Sequence, residues 1–255
     1  MEPALEEKAK RCAEWISRSR RIAVLSGAGM STAAGIPDFR GPNGIYNSLG
    51  IDNPERVFEI STFRRDPRLF YTFGRALLER IRDVEPTFSH RFFAALERRG
   101  QVAGIITQNI DALHQRAGSR KVFEIHGGIW DTYCTSCHKR FDYEQAIKKI
   151  LSEDIPRCDE CSGVLKPDVV FFGEPVKALR ECQELAVTAD LFFIIGSSLT
   201  VTPAALLPSL TRAPIIVVHR GEISAAYLLQ ERIELFADSD IDAFFRSVNE
   251  FISIL

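Results

Sequence analysis

No stretch of the chain approaches the roughly 18 consecutive apolar residues of a membrane-spanning helix. Met1–Lys10 is too charged to open a secretory signal. A cytoplasmic location is therefore expected, with no membrane partner. Excess Lys and Arg are lacking too. The formal net charge is −2 and the pI is near 6.2, so the clustered positive field that drives binding to polyphosphate is missing. Direct nucleic-acid binding is not expected. The chain has no internal repeat and no low-complexity segment. Hydrophobic residues make up 45% of its 255 positions, enough to core one large domain with a smaller appendage.

Six cysteines are present. In a reducing compartment they are candidates for metal ligands, catalytic groups or small buried hydrophobes, not for a disulfide framework. Cys12 shares the apolar side of an opening helix with Leu5, Ala9 and Ile16. Cys182 falls in a helix expected over Val176–Thr188. Both read as buried, inert thiols. The other four form two C-x2-C pairs, Cys134/Cys137 and Cys158/Cys161, separated by twenty residues. Each pair aims two thiolates at one point, and two pairs complete the tetrahedron that zinc accepts. Four protein ligands leave no open position, so one structural Zn2+ is expected. The competing reading, a redox dithiol, does not account for two matched pairs. His138, beside a knuckle, reads as a solvated histidine.

Short apolar runs at Ile22–Leu25, Ala103–Ile106, Leu191–Ile195 and Ile215–Val218 read as buried strands, with weaker candidates at Val122–Ile125 and Val169–Phe172. Helical segments between them imply an α/β fold: a Rossmann-like parallel sheet with helices on both faces. Ligands then sit beyond the carboxyl ends of the strands. The loops reaching that crevice are Ser26-Gly27-Ala28-Gly29, Thr107-Gln108-Asn109-Ile110-Asp111 and Gly196-Ser197-Ser198. Two excursions interrupt the sheet, one at 40–86 with a helix near Pro67–Ile81, the other at 128–165 around the cysteines. The sheet domain is expected to comprise 1–39, 87–127 and 166–255, with 40–86 as cofactor loop and helical module and 128–165 as zinc module.

Gly27-Ala28-Gly29 offers backbone N–H groups close approach to phosphate. The third glycine of a dehydrogenase fingerprint is missing, Thr32 standing in its place, and no acidic strand end follows to hold an adenosine ribose. Hydride-transfer enzymes fit poorly. Asn109 and Asp111 suit either a helix cap or a polar site. His126, followed by Gly127-Gly128, suits either a hydrogen-bonded core position or a base. Spacing alone leaves both pairs of readings open.

Six ordered segments decide the matter by resemblance: GAGMSTAAGIPDFRGPNGIY at Gly27–Tyr46, TQNIDALHQRAGS at Thr107–Ser119, IHGG at Ile125–Gly128, the four cysteines, PDVVFFGE at Pro167–Glu174 and GSSLTVTPAA at Gly196–Ala205. Together they resemble the sirtuins, from about Arg21 to Val218. The resemblance implies an NAD-dependent protein-lysine deacylase that passes the acyl group from lysine to ADP-ribose and releases nicotinamide. It implies a smaller lobe of zinc-ribbon and helical modules. It places Gly27, Ala28 and Gly29 at the pyrophosphate, and Asp38, Phe39 and Arg40 in a mobile loop over the nicotinamide ribose. Gln108, Asn109 and Asp111 would line the nicotinamide side. Gly196, Ser197 and Ser198 would reach the adenosine side, as would His219, which stands where an asparagine is usual. His126 takes the position of the catalytic histidine, with Asn109 and Asp111 beside it. Phe39, Val169, Val170 and Phe172 would wall an acyl-lysine tunnel, continued by Gly173 and Glu174, with the Val170 carbonyl accepting from the substrate amide.

The chain departs from the family in places. The segment after Glu174 is short, and Thr200 and Thr202 replace apolar or aromatic residues, which alters the edge that holds the peptide. Family members that remove succinyl groups pair a tyrosine with an arginine three positions on. Here Tyr71 is followed at that spacing by Gly74, while Arg75 is rotated by about 100° on a helix. Acetyl or longer apolar groups are expected over succinyl. ADP-ribosyl transfer or NAD hydrolysis on the same scaffold, and a non-enzymatic zinc-ribbon module, are the alternatives.

Overall fold

The computed structural model describes residues 3–39, 41, 44–48 and 50–255. The apolar runs become strands buried on both faces, each sending alternate side chains to opposite sides. There are β1 Ile22–Ser26, β2 Val102–Thr107, β3 Val122–Glu124, β4 Gly127–Cys134, β5 Arg140–Asp142, β6 Leu165–Val169, β7 Leu191–Ile195, β8 Ile215–Val218 and β9 Ile233–Ala237. Six of them form one parallel sheet in the order β3-β2-β1-β7-β8-β9. This is the expected Rossmann-like architecture.

Ile22, Val24, Phe193, Ile216 and Val218 point to one face, where helices Pro3–Arg18, Phe88–Arg98 and Ile241–Ile252 pack. Apolar residues at helical spacing, Ala9/Cys12/Ile16 and Phe244/Phe245/Val248, supply their inner stripes. Ala23, Leu25, Phe192, Ile194 and Val217 point the other way, against helix Leu179–Thr188 and the 3-10 segment Ala204–Leu210. Cys12 and Cys182 are fully buried, and burial raises both thiols, Cys182 to about 12. Neither is a thiolate at neutral pH.

The two excursions share a second core. Val57, Phe63, Phe70, Tyr71, Leu78 and Ile81 pack against Ile129, Phe141, Tyr143, Ile147, Ile150, Leu165 and Phe171. Its sheet is antiparallel, in the order β5-β4-β6. Helix Tyr143–Ser152 closes it, started by a capping box in which Asp142 accepts from the Gln145 N–H. The strand expected at Val169–Phe172 is corrected here. β6 runs Leu165–Val169 and belongs to the small sheet, because its buried Leu165, Lys166 and Pro167 pair with β4, while Phe172 makes only an isolated bridge to Glu59. The small sheet thus extends past the boundary expected at residue 166. β9 carried no sequence signal: it is an edge strand with half-exposed Ile233 and Phe236 and exposed Glu234 among its five residues. Among the described residues no helix is long and apolar enough to cross a membrane.

Candidate active site and metal centre

Chain order reverses between β1 and β7, and the loops leaving these two strands meet there. The contact is backbone to backbone. Gly27 N–H donates to Ile195 O and Gly29 N–H to Gly196 O, both at 2.9 Å. A Cβ on Gly27 would lie 2.8 Å from Gly196 O, and one on Gly29 2.8 Å from Gly196 Cα. Gly196 itself has φ +60, where a side chain is strained. Two of the three N–H groups are spent on the neighbouring loop, and only that of Ala28 lacks a partner among the described residues.

Side chains from β2 tie into the same junction. Gln108 Nε2 donates to the Ser197 hydroxyl at 2.7 Å, and its N–H to Ser26 O at 3.0 Å. Asn109 Nδ2 donates to Gly27 O at 3.1 Å and to the Ser31 hydroxyl at 3.0 Å. Ser31 Oγ in turn donates to Asp111 Oδ2 at 2.6 Å. Asp111 Oδ1 accepts from Leu113 N–H at 2.9 Å, so this residue closes a tight turn ahead of helix Leu113–Arg116 and joins the polar site at once. Burial raises its carboxyl, against the hydrogen bonds from Ser31 and Leu113 that lower it. Ser31 was not read from the sequence. The available signal was its place within the glycine-loop segment. With Ala28, Ile36, Phe39, Asn109 and Asp111 it lines a cavity at the carboxyl ends of β1 and β2.

His126 follows β3 and is half-buried. Its Nδ1 lies 3.2 Å from Gln108 O. A carbonyl only accepts, so Nδ1 carries the proton and Nε2 is left with its lone pair free. Burial lowers the pKa of His126, opposed by the bond to Gln108. His126 O accepts from Val170 N–H at 2.8 Å, joining the histidine to the segment Val169–Glu174. There Val169 is buried, Val170 half-buried and Phe172 exposed, and the Val170 carbonyl has no partner among the described residues. The adjacent Phe171 is buried against Phe58, Phe63 and Phe70. Gly173 is exposed at φ +90. Glu174 turns inward. Its Oε2 pairs with Lys166 Nζ at 2.9 Å and accepts from Phe171 N–H at 2.8 Å, so it braces this segment.

Asp38 Oδ1 accepts from Gly41 N–H at 2.8 Å, and the Phe39 ring stands edge-on to Tyr46 and Phe58. Arg40 lies outside the described residues. Ser198 shares a hydrogen bond with Thr200 at 3.1 Å. His219 sits past the end of β8, its Nε2 donating to Glu222 O at 3.1 Å while the buried Nδ1 has no partner among the described residues.

In the small lobe the four cysteine sulfurs lie within 4.8 Å of one another. Zinc–sulfur bonds of about 2.3 Å give a tetrahedron with edges of about 3.8 Å. The Cys134–Cys161 and Cys137–Cys158 separations are 3.4 and 3.7 Å, close to that edge and far beyond a disulfide bond of about 2.05 Å. Ser136 and Cys137 N–H groups point at Cys134 Sγ, a knuckle geometry that favours thiolate. The donor set fits one structural zinc. His138 is exposed and outside the cluster.

A model of the Sir2 family matches residues 27–203. The NAD-dependent protein deacetylase of Thermotoga maritima is 44% identical over 220 residues, covering 84% of this chain and 88% of its own. A solved Sir2 histidine-to-alanine variant with deacetylated p53 peptide and 3'-O-acetyl ADP ribose superimposes with a TM-score of 0.88 at 40% identity, covering 94% of this chain and 97% of the other. Sir2Tm bound to a propionylated peptide gives 0.86 at 38% identity, covering 97% and 100%.

Elemental analysis of protein purified without chelator should find about one zinc per chain. A Cβ on Gly163 would lie 2.6 Å from Cys134 Sγ and 2.5 Å from Ser136 Oγ. Gly163→Ala should therefore lose zinc to a chelator faster than wild type with all four cysteines intact. Zinc-free native protein, or unchanged retention in the variant, would contradict this assignment.

Proposed function

The chain belongs to the Sir2 family, and from that membership and the crevice geometry we propose that it is an NAD-dependent protein-lysine deacylase. The observation that carries the reading is the His126 ring, held at Nδ1 by the carbonyl of Gln108, on the same loop as Asn109 and Asp111, with no partner on Nε2 among the described residues. The relatives support it: Sir2 complexes hold deacetylated p53 peptide with 3'-O-acetyl ADP ribose, and a propionylated peptide.

We assign the roles as follows. Bound NAD supplies a ribose carbon bearing nicotinamide as a leaving group. Ala28 N–H, without a partner among the described residues, is the donor for a phosphate oxygen, a role that the small residues at Gly27 and Gly29 permit by letting the loop lie flat against Gly196. Asn109, Ser31 and Asp111 form the buried polar wall against nicotinamide. Gln108, whose carbonyl holds His126, lies on the nicotinamide-ribose side, and Gly196, Ser197, Ser198 and His219 line the adenosine side. Phe39, Val169, Val170 and Phe172 guide the lysine stem, the Val170 carbonyl accepting from the substrate amide. His126 Nε2 takes a proton from a ribose hydroxyl as that oxygen becomes nucleophilic. Acylated lysine in protein or peptide is the substrate class. A cytoplasmic setting suits a thiolate cluster in which Cys137 and Cys161 are exposed and no disulfide forms.

Offering acetyl-peptide and NAD tests the reading. Nicotinamide, free lysine peptide and acyl-ADP-ribose are expected. Mass added to protein acceptors without loss of acyl groups would favour ADP-ribosyl transfer instead. His126→Ala should lower turnover by at least 100-fold, the lower bound for a general base, with NAD affinity within a few-fold of wild type. Because burial lowers the His126 pKa from 6.5, the neutral base persists on acidification past that value. The acid limb of kcat/KM that His126 controls should therefore fall below pH 6.5. A limb above it, or an active His126→Ala, would refute the role.

Acyl selectivity follows from the helix Arg68–Asp83. Tyr71 is fully buried with its hydroxyl on Leu165 O, and Arg75 is spent on the carbonyls of Ile150, Glu153 and Asp154. Neither is available to a carboxylate. Acetyl- and propionyl-peptides should turn over faster than succinyl-peptide, and the reverse order would overturn this account of the acyl pocket.

A further inference from the structure

Two buried histidines are unused by the reaction. His90 and His114 are 0% and 1% exposed, their ring centroids 4.7 Å apart with planes at 64°. Each has one nitrogen bonded and one, His90 Nε2 and His114 Nδ1, buried without a partner among the described residues. The bonded ends dictate what the open ends are. Thr87 N–H, which can only donate, points at His90 Nδ1 at 3.3 Å as half of the capping box that starts helix Phe88–Arg98, and the Thr87 hydroxyl lies 2.9 Å from the same nitrogen, where it too donates. His90 Nδ1 is thus an acceptor, and in the neutral ring Nε2 carries the hydrogen. On the other side Ser26 Oγ donates its only hydrogen to Thr107 Oγ1 at 3.0 Å, so His114 Nε2, 2.9 Å from the same hydroxyl, must be the donor there. His114 Nδ1 is then a bare acceptor. One ring presents a donor and its neighbour an acceptor.

We propose that His90 and His114 are locked as matched neutral Nε2–H tautomers, forming a buried relay that positions Asn109. His90 Nε2–H serves His114 Nδ1 through one bridging water, which satisfies both otherwise costly groups. His114 fixes Ser26 and Ser26 fixes Thr107, whose Oγ1 also accepts the Asn109 N–H at 3.1 Å. Ser26 and Thr107 are register partners at the carboxyl ends of β1 and β2. The relay therefore ends where Asn109 holds Gly27 O and Ser31. Burial keeps both rings neutral, His90 at about 3 with Arg91 adding to the lowering, and His114 well below 6.5 with His90 adding. His114 is a positioning residue. Its effect on the reaction rests on the reading of Asn109 as a nicotinamide-side residue.

Nitrogen-15 NMR of the zinc-loaded protein at pH 7 reads the tautomers directly, with resonances assigned from His90→Gln and His114→Gln. Both rings should be Nε2–H, and a His114 found as Nδ1–H or imidazolium overturns the relay. NAD affinity and steady-state kinetics supply the second arm. His114→Phe should lower kcat/KM for NAD about tenfold or more, the scale of a broken buried hydrogen bond. His114→Gln, whose amide offers a donor to Ser26 and an acceptor to His90, should stay within about threefold. Equal losses in both variants at unchanged melting temperature and zinc content overturn the proposal, as does wild-type behaviour of His114→Phe. Wild-type protein that binds NAD without turnover would instead remove the deacylase reading, while tautomers and NAD affinities still judge the relay.

Discussion

The backbone contact between the loops after β1 and β7 is the constraint on which the site depends. Three glycines, Gly27, Gly29 and Gly196, let two main chains meet at a distance no side chain permits. That closeness puts Gly27 O within reach of Asn109 Nδ2, and Ser197 within reach of Gln108. β2 contributes the side chains, but the β1–β7 junction gives them something to hold. Parallel sheets place such loops beyond their carboxyl ends, and here the reversal of chain order falls where the loops converge.

Burial then sets the chemistry. His126 is lowered and Asp111 raised by the same cause, loss of water around a charge. A histidine kept neutral and held at Nδ1 by a carbonyl offers one lone pair in one direction. Farther in, burial keeps His90 and His114 neutral, and among the described residues no carboxylate bonds to either ring. The small lobe serves the crevice through the segment following β6. Lys166, 1% exposed, and Glu174 brace that segment from within, so that Phe171 faces the core and Phe172 the outside.

Much of this was legible because it depends on local pattern. Fully buried strands announce themselves as apolar runs, and two C-x2-C pairs need only their spacing to suggest a tetrahedron. The rest depends on neighbours distant in the chain. β9 alternates half-exposed residues at a sheet edge and shows no run. Phe171 and Phe172 are chemically identical neighbours with opposite environments, set by the Glu174 brace on Phe171 N–H and the bridge of Phe172 to Glu59. The glycines were visible, but their reason was not, since Gly196 lies far along the chain from Gly29. Ser31 and Lys166 looked like ordinary polar residues until Asp111 and Glu174 were found beside them. The roles of Asn109 and His126 came from resemblance, because spacing suits a cap or a core position equally.

Gly29→Ala isolates the central constraint, since Gly29 does not adopt a positive φ and the three atoms nearest the added methyl all belong to the Gly196 backbone. The NAD dissociation constant of this variant, measured beside its zinc content, is the direct test. At least a tenfold loss of affinity with zinc retained is the expected result, because the loops must part by several tenths of an ångström and carry Asn109 and Ala28 with them. Wild-type affinity in Gly29→Ala would show that the junction does not set the cofactor site.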